Sequence, residues 1–448
     1  MQQIGDSSTS ETRTALVIKA LFKDERQLHD PLAEITSLAK TAGIEVRGNL
    51  VQKLSRPNPA TWLGEGKINE TTELAEELDV DFIIADNDLS PAQERNIETV
   101  TGKTVIDRSQ LIMDIFALRA HTPQARLQVE LAQLRYSLPR LKRMWTHLSR
   151  YEGGIGMRGP GEKQLETDKR LIGRRIQKMV RDLKHIDRRN QVAINNRSGE
   201  FVVALAGYTN AGKSTLLNAL TSSTELVEDK LFATLDTRVR RWPLTENRHV
   251  LLTDTVGFIR NLPHHLVASF EATLTETKQA DIILHVVDAS SPRAEQHIHT
   301  VNRVLQDLDC GDKITWMVLN KWDALAPEEI PEANNLASIP PDGGRGKTLP
   351  SQLKVIEPSR VFQVSAAAGH GMEELSAAVL EHLQKSDIKL SFIVPHARGE
   401  VIAYLRENSH LEELDYQEDG VHVSCSISPA RGARLKHIFP EGFSAAGS

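Results

Sequence analysis

Eight consecutive residues, Gly207, Tyr208, Thr209, Asn210, Ala211, Gly212, Lys213 and Ser214, stand between an apolar run, FVVALAG, and a helix-forming stretch, STLLNALTS. That spacing of two glycines, a lysine and a hydroxyl is what cradling a phosphate chain requires. Loop N–H groups and the helix N-terminus face the phosphate oxygens. Gly207 and Gly212 permit the tight turn. Lys213 would place its charge on the β- and γ-phosphates, and Ser214 its hydroxyl on Mg²⁺.

The phosphate loop alone does not choose the base. Asn320, Lys321, Trp322 and Asp323 end another apolar strand. A carboxylate at Asp323 can accept from the N1–H and exocyclic amine of guanine, a donor pair adenine lacks, so a site built around it rejects the wrong base strongly. Ser365, Ala366 and Ala367 follow the last strand of the region and are expected to offer a backbone N–H to the guanine O6. A third element, Asp254, Thr255, Val256 and Gly257, suits the metal and the γ-phosphate: Asp254 holds Mg²⁺ through water, and Gly257 presents its N–H and acts as a hinge. Phe232, Ala233, Thr234, Leu235 and Asp236 lie where a first switch belongs. Thr234 is the candidate second hydroxyl ligand of Mg²⁺ beside Ser214, with Thr237 and Thr255 as rivals. The expected enzyme is thus a Mg²⁺-dependent GTP hydrolase, with GTP and GDP as substrate and product. Its catalytic residues are Lys213, Thr234 and Gly257. Phe258 stands where many GTPases carry a water-orienting glutamine. It cannot do that work, so another residue or a partner must.

Elements of matching period surround these motifs. From 201 to 385 apolar β-branched strands alternate with helices, interrupted by a Pro-, Gly- and charge-rich stretch, 326–358, read as an inserted loop. Residues 15–107 also alternate strand and helix: strands at 15–20, 44–54, 81–86 and 103–108, and helices at 31–43 and 66–78. Ser90, Pro91 and Gln93 mark another helix start. Between the two regions the period changes. Leu127, Leu131, Leu134, Leu138, Leu141, Trp145 and Leu148 form one heptad seam, broken by Pro139. Leu165, Ile172, Ile176, Met179, Leu183 and Ile186 form a second. Two helices joined by the loop 153–162 make an antiparallel hairpin.

The expected fold class is α/β. A P-loop GTPase domain (198–387) is preceded by a small parallel α/β subdomain (13–118) with a basic helical hairpin (119–197), and followed by a small C-terminal α/β domain (388–448). Residues 1–12 form a disordered tail. The tail 390–440 carries no assignable chemistry.

The net charge of −6 conceals an asymmetry. Residues 119–197 hold 19 Lys/Arg against 7 Asp/Glu, a balance of +12, which leaves −18 for the remainder. A basic module in an acidic chain points to a polyanionic partner. The loop joining the seams has five glycines (153, 154, 156, 159, 161), more than a turn needs, so Arg158, Gly159 and Gly161 are candidate RNA contacts. Cys310 and Cys425 make no ligand spacing, and no stretch approaches 18 consecutive apolar residues. A cytoplasmic protein with no membrane partner is expected, and a monomer.

The motifs together resemble the HflX family of translation-factor-related GTPases. The resemblance rests on GYTNAGKST, LFATLDT, DTVGFIRNLPH, RGPGEKQLETDKR, SPAQERN, VIDRSQLIMDIFA and LQVELAQLRY, and covers nearly the whole chain. It implies binding to the large ribosomal subunit and its rRNA near the peptidyl-transferase centre, with the hairpin loop in contact with RNA, and splitting or rescue of ribosomes under stress. The alternative is a GTP-gated ribosome-binding switch in subunit assembly or silencing. The family too has a hydrophobic residue where Phe258 stands.

Overall fold

The computed structural model describes residues 13–22, 30–141, 160–195, 200–221, 231–232, 238–246, 248–255, 257–260, 276–325 and 358–440. They fall into two compact units, one running to Ile186 and including Leu231 and Phe232, the other starting at Asp187. The architecture is α/β, as expected.

In the first unit, β1 (Arg13–Leu21), α1 (Ala33–Thr41), β2 (Ile44–Lys53), α2 (Glu65–Glu77), β3 (Phe82–Ala85), α3 (Pro91–Thr101) and β4 (Thr104–Asp107) alternate. The sheet order is β2-β1-β3-β4, with every pairing parallel. All of β1 after Arg13 is buried, as expected of a strand covered on both faces. The start of α3 is a capping box: the Gln93 N–H donates to Ser90 Oγ at 3.3 Å and the Ser90 N–H to Gln93 Oε1 at 2.9 Å.

Helix α4 (Arg108–Arg119) continues directly from β4, capped by Asp107, whose side chain accepts from the Gln110 N–H. Its Leu111, Ile112, Met113, Ile115 and Phe116 are all buried. Below it lies a buried ionic cluster. Asp86 accepts from Lys19 Nζ and from an Arg108 amine, each at 2.5 Å, and Arg108 also reaches Glu34. Burial of these charges is tolerated because each one is paired.

The two heptad seams meet. Leu131 and Leu134 of α5 (Pro123–Ser137) share a cluster with Met179 and Leu183 of α6 (Pro160–Asn195), flanked by Leu127, Ile172, Ile176 and Val180. Pro139 acts as expected: α5 stops at Ser137 and a 3₁₀ turn, Leu138–Arg140, carries the proline. The loop between the helices is shorter at its far end than 153–162, because α6 starts at Pro160 and places Gly161 in its first turn. Proline is preorganised for that position. Arg158 and Gly159 lie outside the described residues.

The second unit holds β5 (Val202–Gly207), α7 (Lys213–Thr221), β6 (Arg238–Thr245), β7 (Arg248–Asp254), β8 (Ile282–Asp288), α8 (Ala294–Asp307), β9 (Ile314–Asn320), β10 (Arg360–Gln363) and α9 (Met372–Ser386). The sheet order is β10-β9-β8-β5-β7-β6, parallel except for β6. The sequence pattern does not announce β6. It is an edge strand containing Pro243, which only an edge tolerates. The same unit ends in an antiparallel sheet, β11-β13-β12 (Ile388–Val394, Gly420–Ile427, His410–Gln417), with α10 (Gly399–Asn408) and α11 (Pro429–Ile438). Arg431 pairs with Glu200 at 2.9 Å, and Arg248 with Asp387, tying this sheet to the six-stranded one. Among the described residues no helix is long and apolar enough to cross a membrane.

Candidate guanine-nucleotide site

Strand β5 ends at Gly207 and α7 begins at Lys213, so the loop between them emerges at the carboxyl edge of a parallel sheet. Both glycines are required by close approach. A Cβ on Gly207 would stand 2.3 Å from the Val286 carbonyl oxygen. Gly212, at φ +88, would place one 2.2 Å from Asn320 Nδ2. Asn210 adopts φ 61, and asparagine tolerates that left-handed conformation better than most side chains.

Lys213 is buried, and its ammonium donates to the carbonyls of Gly207 (3.1 Å) and Tyr208 (2.9 Å). Burial pulls its pKa down to about 8, against Asp254, which pushes it up. An anion reaching this ammonium restores the stabilisation that burial removes. Ser214 donates from Oγ to Asp254 Oδ2 at 2.8 Å, and Asp254 is fully buried at the end of β7. The hydroxyl and the carboxylate therefore converge, as a hard oxygen donor set for a small divalent cation must. No group of three or more His, Cys, Asp or Glu able to hold a metal occurs among the described residues.

Thr255, the rival metal ligand, turns the other way: it is buried and its hydroxyl donates to the Leu205 carbonyl at 2.7 Å. Gly257 lies directly over the loop. A Cβ there would be 2.8 Å from Thr209 Cγ2 and 3.1 Å from Lys213 Nζ. Phe258 is buried, and its main chain pairs with the loop: its N–H donates to Gly207 O at 3.1 Å, and its carbonyl accepts from the Thr209 N–H at 2.8 Å. Phe232, expected near the nucleotide, is buried edge-on against Phe116 of α4, with ring centroids 4.6 Å apart. Ala233, Thr234, Leu235, Asp236 and Val256 lie outside the described residues.

The base-reading segment is bound to the loop by Asn320. Its amide donates to the Ala211 carbonyl at 2.9 Å and accepts from the Ala366 N–H at 3.0 Å. Asn320 is thus a staple between two motifs. Lys321, at φ 60, pairs with Asp288 at 2.8 Å. Trp322 is half-buried, and its N–H donates to the Val364 carbonyl. Asp323 is exposed, and a hydrogen bond from the Ser365 side chain holds its carboxyl below the ordinary range. The Ser365 N–H is engaged by the His370 carbonyl and that of Ala366 by Asn320. The expectation of a backbone donor for O6 therefore narrows to Ala367.

Three participants are not signalled by the motifs. Asp288 ends β8, in a run, IILHVVDA, that reads in the sequence only as a strand. His285, in the same run, is buried with Nε2 unpartnered among the described residues. Burial pulls its pKa to about 4, with Lys213 adding to the effect. His297 stacks on Tyr208 from α8, a partnership no sequence spacing signals.

Three family models match successive stretches: one described as GTP-binding GTPase N-terminal over 29–117, one as GTP-binding GTPase Middle Region over 119–197, and one as 50S ribosome-binding GTPase over 202–321. The GTPase HflX of Lacrimispora saccharolytica is 41% identical over 406 residues, spanning 90% of this chain and 91% of its own. That of Escherichia coli K12 is 40% identical over 408 residues, spanning 91% of each. A third, from Caldanaerobacter subterraneus, is 40% identical over 411 residues, spanning 91% of this chain and 90% of its own. Each match spans about nine tenths of the chain, so it is not the phosphate loop alone that is shared. The chain belongs to the GTPase HflX family, and it is a P-loop enzyme that binds GTP and hydrolyses it to GDP.

Proposed function

We propose that this GTPase works on the large ribosomal subunit, docks through its basic helical segment on ribosomal RNA, and uses GTP hydrolysis to split or rescue ribosomes under stress. The observation that carries the proposal is the surface of α6. Arg170, Arg174, Lys178, Arg181, Lys184 and Arg188 are all exposed, and helical spacing puts them on the face opposite the Ile172, Ile176, Met179 and Leu183 seam. A single-signed face of this kind suits a phosphate backbone. The matching model for the nucleotide domain is described as a 50S ribosome-binding GTPase, which agrees with that partner. Arg158, Gly159 and Gly161 are the proposed RNA contacts at the hairpin tip. The setting is the cytoplasm, with the protein acting as a monomer.

In the proposed site Lys213 neutralises the β- and γ-phosphates, and the Gly257 N–H meets the γ-phosphate. Asp323 reads guanine, and Ala367 offers its N–H to O6. Ser214, Thr234 and, through water, Asp254 would hold Mg²⁺, which when bound neutralises charge developing on the phosphates. Phe258 cannot orient a water, so the proposal makes fast turnover depend on the subunit. Steady-state hydrolysis measured alone and with purified large subunits tests this. A rise of at least about ten-fold is expected, modest beside known partner-supplied accelerations. Turnover indifferent to the subunit would remove the ribosome from the reading. Free subunits released from intact ribosomes would support splitting; their absence despite stimulated hydrolysis would favour the assembly or silencing switch.

A further inference from the structure

Tyr208 does more than lend its backbone to the phosphate loop. Its ring stacks on His297 of α8, with centroids 3.8 Å apart and planes 12° from parallel. Its hydroxyl accepts from the Arg260 N–H at 2.9 Å. The Phe258 main chain pairs with Gly207 and Thr209, on either side of Tyr208 in the loop. The segment after Asp254 is therefore fastened to the loop by three hydrogen bonds, one of them to a side chain. It is held low: a Cβ built on Gly257 would stand 3.1 Å from Lys213 Nζ, so no phosphate-sized gap separates Gly257 from that ammonium. A γ-phosphate contacting both the Lys213 ammonium and the Gly257 N–H needs more room than that. A β-phosphate, one unit further back, does not press on Gly257.

We propose that the Tyr208 side chain, clamped between His297 and the Arg260 N–H, is a positioning residue that holds the Gly257–Arg260 segment down on the phosphate loop and so sets the preference of the site between GTP and GDP. The clamp stabilises the lowered segment. GTP must lift it and GDP need not, so the clamp opposes GTP selectively. The inference rests on the placement of the phosphates along Lys213 and Gly257.

Tyr208→Phe keeps the ring and its stack and removes only the acceptor. The expected result is a gain of about five-fold in the ratio of affinity for a non-hydrolysable GTP analogue to affinity for GDP, the worth of one hydrogen bond. Hydrogen exchange at the Arg260 amide should quicken in the same variant. His297→Leu, which removes the stack from α8 and leaves the loop sequence intact, should shift the ratio in the same direction. Equal changes in both affinities, or none, would reduce Tyr208 to a packing residue and overturn the clamp alone. Failure of the wild-type chain to bind either nucleotide would overturn the phosphate placement, and the clamp with it.

Discussion

Lys213 shows how a single side chain is prepared for its ligand. Its ammonium sits in a buried place where, among the described residues, two loop carbonyls accept from it, and burial pulls its pKa down to about 8. It is held at a cost that a phosphate oxygen relieves. Lys213→Ala should therefore lower affinity for GDP and GTP alike by about 100-fold, the scale of a hydrogen bond to a charged group, in a fluorescent-nucleotide titration. Unchanged binding would reject the phosphate-loop assignment. Asp323 is prepared differently, exposed and with its carboxylate favoured by the Ser365 hydroxyl. Asp323→Asn should weaken GTP by at least about 100-fold and transfer preference to xanthine nucleotides, whose N1–H still donates but whose C2 carbonyl accepts where the guanine amine donates. Retained guanine preference would reject the base-reading role. Both residues were legible in the sequence because their chemistry fixes type and spacing together. His285 and Asp288 were not, because they reach the site from a strand more than 70 residues beyond the loop, and only sheet order brings them there.

Elements were legible where local chemistry and burial agree. The Ser90 box announced α3, and the unbroken apolar runs announced β1, β5, β8 and β9. Helix α4 was missed because it is buried on several sides, which erases the amphipathic period a reader looks for. Strands β6 and β12 were missed because both are edges with many exposed polar residues, and β6 also contains a proline. The seams of α5 and α6 were legible, and so was the excess charge. That the charge gathers on the face of α6 away from its seam needed the exposure of each residue. Replacing Arg174, Lys178 and Arg181 together by Glu should weaken large-subunit binding and flatten the slope of log affinity against log salt by about three, one for each phosphate no longer neutralised. GDP affinity measured in parallel reports that the nucleotide domain remains folded. An unaltered salt slope would make that face a solvated surface only.

At the scale of the whole molecule, charge is sorted: positive on the helical segment, negative over the remainder, and paired wherever buried in the N-terminal sheet. His285 departs from that pattern as a buried base whose Nε2 lacks a partner among the described residues. Its imidazole lies on β8 between Ala206 of β5 and Met317 of β9, with the Lys213 charge adding to the burial that pulls its pKa down to about 4. Unfolded, it would titrate near 6.5. Between those values the unfolded chain binds the proton and the folded one does not. Stability is therefore fully present above about 6.5 and is lost as pH falls toward 4. At pH 5 the loss from this one group is about 2 kcal/mol, enough to shift a urea midpoint visibly. His285→Gln removes the titration while keeping a polar side chain of similar reach. Urea unfolding at pH 7 and pH 5 should then show the wild type losing about 2 kcal/mol more than the variant across that interval. Equal losses would mean that His285 titrates as it does in the unfolded chain, and the acid sensitivity of the nucleotide domain would have to arise from its carboxylates.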